Sequence, residues 1–344
     1  MTTFFMGPGV DQQTATDNIN QDTRFVIIYD HYPQPPIQKE GAENYIYELM
    51  EQYPNCLFIS SVKRPNPYDN EMWLPFYFLK TVRLNHEWQP DFKQLRPKTC
   101  NAIGGQTRIS RTLLSFWLAK NYPLEQLIHH YTENNQLPAL IDIVENSNYY
   151  NPKHLHPRKF LPNSFKNKFL SSEEIDIAKQ FLWPNIISQS YISLLPEANG
   201  IELGARINEH SYFPLIGGNL CLPVGNYQVD KVLEDIGFDC FSDIFDLTSL
   251  SSTDRYQMTV GVLEDNKAFI TDHDKVQEAW HNNINRLEHN ARLARDLDHF
   301  IDHFKPVIKI ASKALGDADP NHPAFSHDLM GHGPILRWLR NFTQ

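Results

Sequence analysis

Phe25-Val-Ile-Ile-Tyr29, running into Asp30-His31 and a Pro-rich turn, is the stretch on which the fold is decided. Its consecutive apolar, β-branched and aromatic residues bury both faces of a strand, as inside a parallel sheet. Downstream, the segment from Gly41 to Tyr53 reads as a helix, with Tyr45, Leu49 and Met50 at helical spacing. Cys56-Leu-Phe-Ile-Ser60 follows as a second strand, so strand, helix and strand make a βαβ unit. Upstream, Thr2-Thr-Phe-Phe-Met6 reads as a further short strand.

The same alternation continues along the chain. Trp73 to Val82 reads as another strand or a buried loop, and Lys98-Thr-Cys-Asn-Ala-Ile103 as a strand ending at Gly104-Gly105 before a helix from Ser110 to Lys120. A second series begins near Pro184. Tyr191-Ile-Ser-Leu-Leu195 is a strand, Glu209 to Gly217 opens a helix, and Leu220-Cys-Leu-Pro-Val224 is a strand closed by Gly225-Asn226. Gln228 to Ile236 is a helix ended by Gly237. Asp274 to Phe304 reads as a long helix or helical pair, and Ile335 to Phe342 as a last short helix. The expected fold class is α/β, with two Rossmann-like domains facing across a cleft and a C-terminal helical extension. The expected domains are residues 1–185 and 186–344. Ligands in such folds bind at the carboxyl ends of strands and at helix N-termini.

Composition narrows the function. A chain of 344 residues exceeds one ordinary core, and its 41% hydrophobic share is supplemented by 12% aromatics with large buried areas. A formal charge of −10 disfavours a nucleic-acid partner, which needs a basic face. Cys56, Cys100, Cys221 and Cys240 stand far apart in apolar runs, as buried reduced thiols do. Met1 to Val10 lacks the basic start and apolar run of a signal peptide, and no stretch is long and apolar enough to span a bilayer. The default expectation is a cytoplasmic protein without a membrane span.

Several groupings of residues carry chemistry. A strand delivers Glu197 to a sheet edge, and Arg206-Ile-Asn-Glu209 then opens a helix, so that two carboxylates and unpaired backbone N–H groups line one crevice. Carboxylates accept from ribose hydroxyls, and a helix start with a nearby cation holds phosphate. Arg108 and Arg111, one turn apart after Gly104-Gly105, place two guanidinium groups where a diphosphate leaving group is neutralised. Asp30 and His31 end the first strong strand and are the candidate general bases, with Glu40, Glu43 and Glu71 as alternatives. His322, His327, Asp328 and His332 sit on a Gly/Pro-rich segment at spacings that fit no strong ligand signature, so no metal is expected. The scattered tryptophans read as core, and the basic run Lys153-His-Leu-His-Pro-Arg-Lys159 as a solvated connection.

Four segments together resemble a known family. Ser188-Gln-Ser-Tyr-Ile-Ser-Leu-Leu-Pro-Glu197, Ile207-Asn-Glu-His-Ser-Tyr-Phe-Pro-Leu215, Asn219-Leu-Cys-Leu-Pro-Val-Gly-Asn226 and Leu233-Glu-Asp-Ile-Gly-Phe238 look like the donor half of fucosyltransferase-like glycosyltransferases. A weaker echo is Cys100-Asn-Ala-Ile-Gly-Gly-Gln-Thr-Arg108-Ile-Ser-Arg111, where the family carries Asn-x-x-x-Arg-x-x-Arg. The resemblance implies the two-domain arrangement called GT-B and an inverting, metal-independent transfer from a nucleotide-sugar to an acceptor hydroxyl, with no other cofactor. It implies Glu209 as the ribose-binding carboxylate, Glu197 at the end of the preceding strand, and Asn208, His210 and Tyr212 beside them at the nucleotide. The sequence departs from the pattern at His210 and Phe213, where the family has basic residues. Phosphate neutralisation then falls to a protonated His210 or to a cation from elsewhere. The alternatives are a phage-type enzyme that glycosylates a hydroxymethylated DNA base, and a non-catalytic nucleotide-sugar-binding protein.

Overall fold

The computed structural model describes residues 2–6, 12–28, 44–103, 109–121, 127–131, 187–196, 204–254, 256–319, 323–326 and 333–342. These form an α/β protein with two parallel sheets. The chain divides into two compact units. Unit 1 is Met1–Leu84 with Arg206–Asn208 and Leu297–Gln344, and unit 2 is Asn85–Ala205 with Glu209–Asp296.

Unit 1 starts with β1 (Thr2–Met6), α1 (Gln12–Asn18), β2 (Thr23–Ile28), α2 (Asn44–Gln52), β3 (Leu57–Ser60) and β4 (Glu71–Trp73). Its strands lie in the order β1-β2-β3-β4. Val26, Ile27 and Ile28 of β2 are all buried, as a strand covered on both faces requires. Met6, Val26, Ile28 and Phe58 share one cluster with Ala15 and Ile19 of the α1 side and Ile46, Leu49 and Met50 of α2.

Residues 73–82 depart from the expected strand or loop. After Pro75 they form α3 (Phe76–Asn85), on which Phe76, Phe78, Leu79 and Val82 are all buried. Lys80 and Thr81 are buried with them, so polar and apolar residues are mixed around the helix and no amphipathic stripe reveals its period.

Unit 2 contains β5 (Lys98–Ile103), α4 (Ile109–Asn121), β6 (Leu127–Tyr131), β7 (Ser190–Pro196), α5 (Glu209–Ile216), β8 (Leu220–Val224) and α6 (Val229–Asp235). A π-turn, Gln257–Gly261, follows and runs into α7 (Val262–Asp265). Then come α8 (Lys267–Ile270), α9 (His273–Asn282) and α10 (Ile284–Leu293). The strand order is β6-β5-β7-β8. The chain therefore builds outward from β5 to β6, then resumes on the other side of β5 at β7. Because β5 pairs with β7, the sheet runs across the boundary expected at residue 185, and the compact units are not divided there.

Buried polar groups pin this pairing. Arg96 donates from Nη1 to Ser190 O at 2.7 Å and to Asn219 Oδ1 at 3.1 Å, and from Nη2 to Gly217 O at 2.9 Å. Asn219 Nδ2 donates to Ser190 O at 2.7 Å and Ile187 O at 3.0 Å, while Asn101 Nδ2 of β5 donates to Ser193 Oγ of β7 at 2.8 Å. The Arg96 guanidinium lies 4.6 Å over the Trp280 ring. Burial lowers its pKa to about 9, which still leaves it charged at neutral pH.

The stretch expected as one long helix or a pair is three helices, α9, α10 and α11 (Leu297–Gly316), interrupted near Asn283 and again at Ala294–Asp296. α11 passes through Pro306, and α12 (Pro323–Ser326) and α13 (Gly333–Arg340) follow it. All three belong to unit 1. Phe300, Phe304, Ile308, Ala311 and Leu315 form the buried stripe of α11. Phe300 meets Phe78 at 5.3 Å, Phe304 meets Trp73 at 5.2 Å, and Thr3 Oγ1 donates to Ala314 O at 2.7 Å. The four cysteines are buried free thiols. Among the described residues no helix is long and apolar enough to cross a membrane.

Two stability predictions follow from this packing. Arg96→Met strands carbonyl and amide acceptors that it now satisfies, so chemical denaturation is expected to show a loss of about 3 kcal/mol. An unchanged midpoint would refute the role assigned to this network. Arg286 bonds both Asp239 and Asp243, and the bond to Arg286 holds the Asp243 carboxyl below the usual carboxylate range. A depressed acid adds stability above its unfolded pKa and loses it as pH falls through the folded one. Arg286→Gln is therefore expected to cost about 1 kcal/mol at neutral pH, given the pair's exposure, and progressively less in acid. A penalty that stays constant in acid would contradict the ion-pair assignment.

Candidate functional site

In open α/β sheets the point where strand order reverses leaves a crevice at the strands' carboxyl ends, because the following helices depart to opposite sides. In unit 2 this point lies between β5 and β7, which lead toward α4 and α5 respectively. The first turns of these helices carry Ser110 and Arg111, and Glu209 and His210. Backbone N–H groups and the positive dipole end at a helix start favour an anion.

The side chains meet there. Arg111 is 4% exposed, and its Nη2 lies 3.1 Å from His210 Nε2. Glu209 Oε1 is 3.7 Å from the same nitrogen. A guanidinium only donates, so at the Arg111 contact Nε2 accepts and the ring proton sits on Nδ1. In that tautomer the imidazole of His210 is neutral, and the Arg111 guanidinium and the Glu209 carboxylate both face its Nε2. The His210 side chain is 13% exposed and that of Glu209 24%, so a solute reaches both.

The remaining expected residues are distributed differently. Asn208 is buried and belongs, with Arg206, to a short segment grouped with unit 1. Tyr212 is fully buried, its ring edge-on to Phe213 at 5.7 Å, and burial pushes its phenol pKa far up. It occupies a core position. Glu71, one of the alternative bases, is tied in a buried ion pair with Arg64. Asp30, His31, Arg108 and Glu197 lie outside the described residues, as do Glu40, Glu43, Lys153 to Lys159 and His322, His327, Asp328 and His332.

Sequence reasoning did not single out Ser110, Gly225 and Thr259, which meet at the start of α4. Gly225 ends β8 with φ +72°, and its N–H donates to Met258 O at 2.8 Å. A Cβ on Gly225 would lie 2.6 Å from Ser110 Oγ and 2.9 Å from Thr259 Oγ1. Thr259 belongs to the π-turn, a backbone form with no sequence signature, though such turns gather at functional sites. Gly225 was legible only as a strand terminator.

Among the described residues no group of three or more His, Cys, Asp and Glu side chains is placed to hold a metal ion. No family model, curated protein or solved structure matches the chain.

The tautomer of His210 tests the site's geometry directly. Nitrogen-15 NMR at neutral pH is expected to show an Nδ1–H ring in the wild type and a changed His210 signal in Arg111→Leu. An Nε2–H ring would contradict the contact with Arg111.

Proposed function

We propose that the chain is a nucleotide-sugar-dependent glycosyltransferase that moves a sugar onto an acceptor hydroxyl. One observation carries the reading: Arg111 converges with Glu209 and His210, more than ninety positions further along the sequence, at the helix starts flanking the β5–β7 switch point. Glu209 accepts from the ribose hydroxyls. Arg111 supplies the cation that the resemblance expects near His210, stabilising charge on the departing diphosphate. The acceptor oxygen attacks the anomeric carbon, the bond from that carbon to the diphosphate breaks, and the nucleoside diphosphate leaves. The acceptor's proton passes to a base, for which Asp30 and His31 remain the candidates from sequence.

The GT-B arrangement, the inverting course, metal independence and a cytoplasmic setting belong to the same proposal. So does the assignment of the acceptor to residues 1–185 and of the donor to residues 186–344.

A thermal-shift screen against nucleoside diphosphates and their sugar conjugates tests the reading. A ligand at a hundred times its Kd is expected to stabilise the folded chain by about 2.7 kcal/mol. Glu209→Ala should weaken that ligand. Arg111→Gln should reduce sugar transfer about a hundredfold, the scale for losing one charge-stabilising donor. If no nucleotide or nucleotide sugar stabilises the protein, the reading fails.

A further inference from the structure

We propose that Ser110 and Thr259, with the first turn of α4, form a subsite for phosphate oxygens of the bound diphosphate. The inference rests on the nucleotide-sugar reading of the Arg111 site and assigns it ligand-binding residues that neither the resemblance nor the sequence supplied.

Thr259 carries the argument. Its side chain is 0% exposed, and Oγ1 has no hydrogen-bond partner among the described residues. Buried hydroxyls are almost always satisfied, and a helical threonine ordinarily turns its oxygen to a carbonyl in the preceding turn. The π-turn Gln257–Gly261 carries Thr259 without such a bond. It places Oγ1 instead on the side of Gly225 where a side chain would stand, and Ser110 Oγ approaches the same side. Two hydroxyls thus converge over a bare α-carbon at the end of β8.

The location selects the ligand. Ser110 lies in the first turn of α4, a helix of 13 residues whose leading N–H groups lack intrahelical partners. Arg111 is the next residue and adds a guanidinium. N–H groups, hydroxyls and guanidinium can all donate here, so the complementary ligand is an acceptor-rich anion. A diphosphate offers oxygens enough for Arg111 and for the Ser110–Thr259 pair at once.

Isothermal titration of the full chain with inorganic pyrophosphate tests the subsite apart from any nucleotide or sugar. Wild type is expected to bind, Thr259→Val and Ser110→Ala to bind about tenfold more weakly, and Thr259→Ser to retain affinity. Without ligand, Thr259→Val should raise the unfolding temperature, because it removes a buried hydroxyl with no partner. Failure of the wild type to bind pyrophosphate overturns the inference. Equal binding by wild type, Thr259→Val and Ser110→Ala also overturns it, and leaves the glycosyltransferase reading standing if nucleotide sugars still stabilise the protein. Weakened pyrophosphate binding in the variants, with no nucleotide sugar accepted by the wild type, upholds the anion subsite and sinks the glycosyltransferase reading.

Discussion

Arg96 is a cation almost wholly removed from water, and its described hydrogen-bond acceptors are carbonyl oxygens of the backbone and of Asn219. Such a group is tolerable only where several acceptors converge on it, so its presence fixes their positions. Those acceptors belong to the entrance of β7 and to the turn between α5 and β8. Asn101 extends the same polar contact into β5. Together they hold β5 against β7 although a long stretch of chain separates the two strands. Once that pairing is set, α4 and α5 must begin beside each other at the opposite end of the sheet. Arg111 and His210 come within 3.1 Å as a consequence. The polar network holds the frame.

Sequence patterns revealed the elements whose periodicity survives in one dimension. β2 and β8 were plain from consecutive apolar residues, α5 from its opening Glu209, and the end of α6 from Gly237, which adopts φ +100°. Other elements were hidden for identifiable reasons. α3 buries Lys80 and Thr81 along with its apolar residues and so shows no amphipathic stripe. The breaks between α9, α10 and α11 fall at Asn283 and Ala294, neither a Gly nor a Pro, while the proline in this region, Pro306, lies inside a helix that continues past it.

The site was legible in part and for a different reason. Arg111, Glu209 and His210 were each recognisable from helix starts and from the family resemblance, but their meeting depends on sheet order, which local spacing does not encode. Tyr212 followed the motif and yet faces the core, because a short helix packed on a sheet turns its aromatic residues inward. Thr259 had no signal at all. In the proposed reading, the departure at His210 is answered by Arg111 from another strand–helix connection.

Unit 1 is assembled from both ends of the chain. The hydrogen bond from Thr3 to Ala314 spans 311 residues, and α11 to α13 supply the far end of that span. Polypeptides emerge from the ribosome N-terminus first, and domains generally fold as they appear. Here the first strands to emerge must wait for the last helices. Unit 2 has nearly all of its sequence available earlier and can complete its core first. Until then Thr3 of β1 remains without the α11 carbonyl to which it donates. The return of α11 to α13 thus makes unit 1 the later of the two units to complete its core.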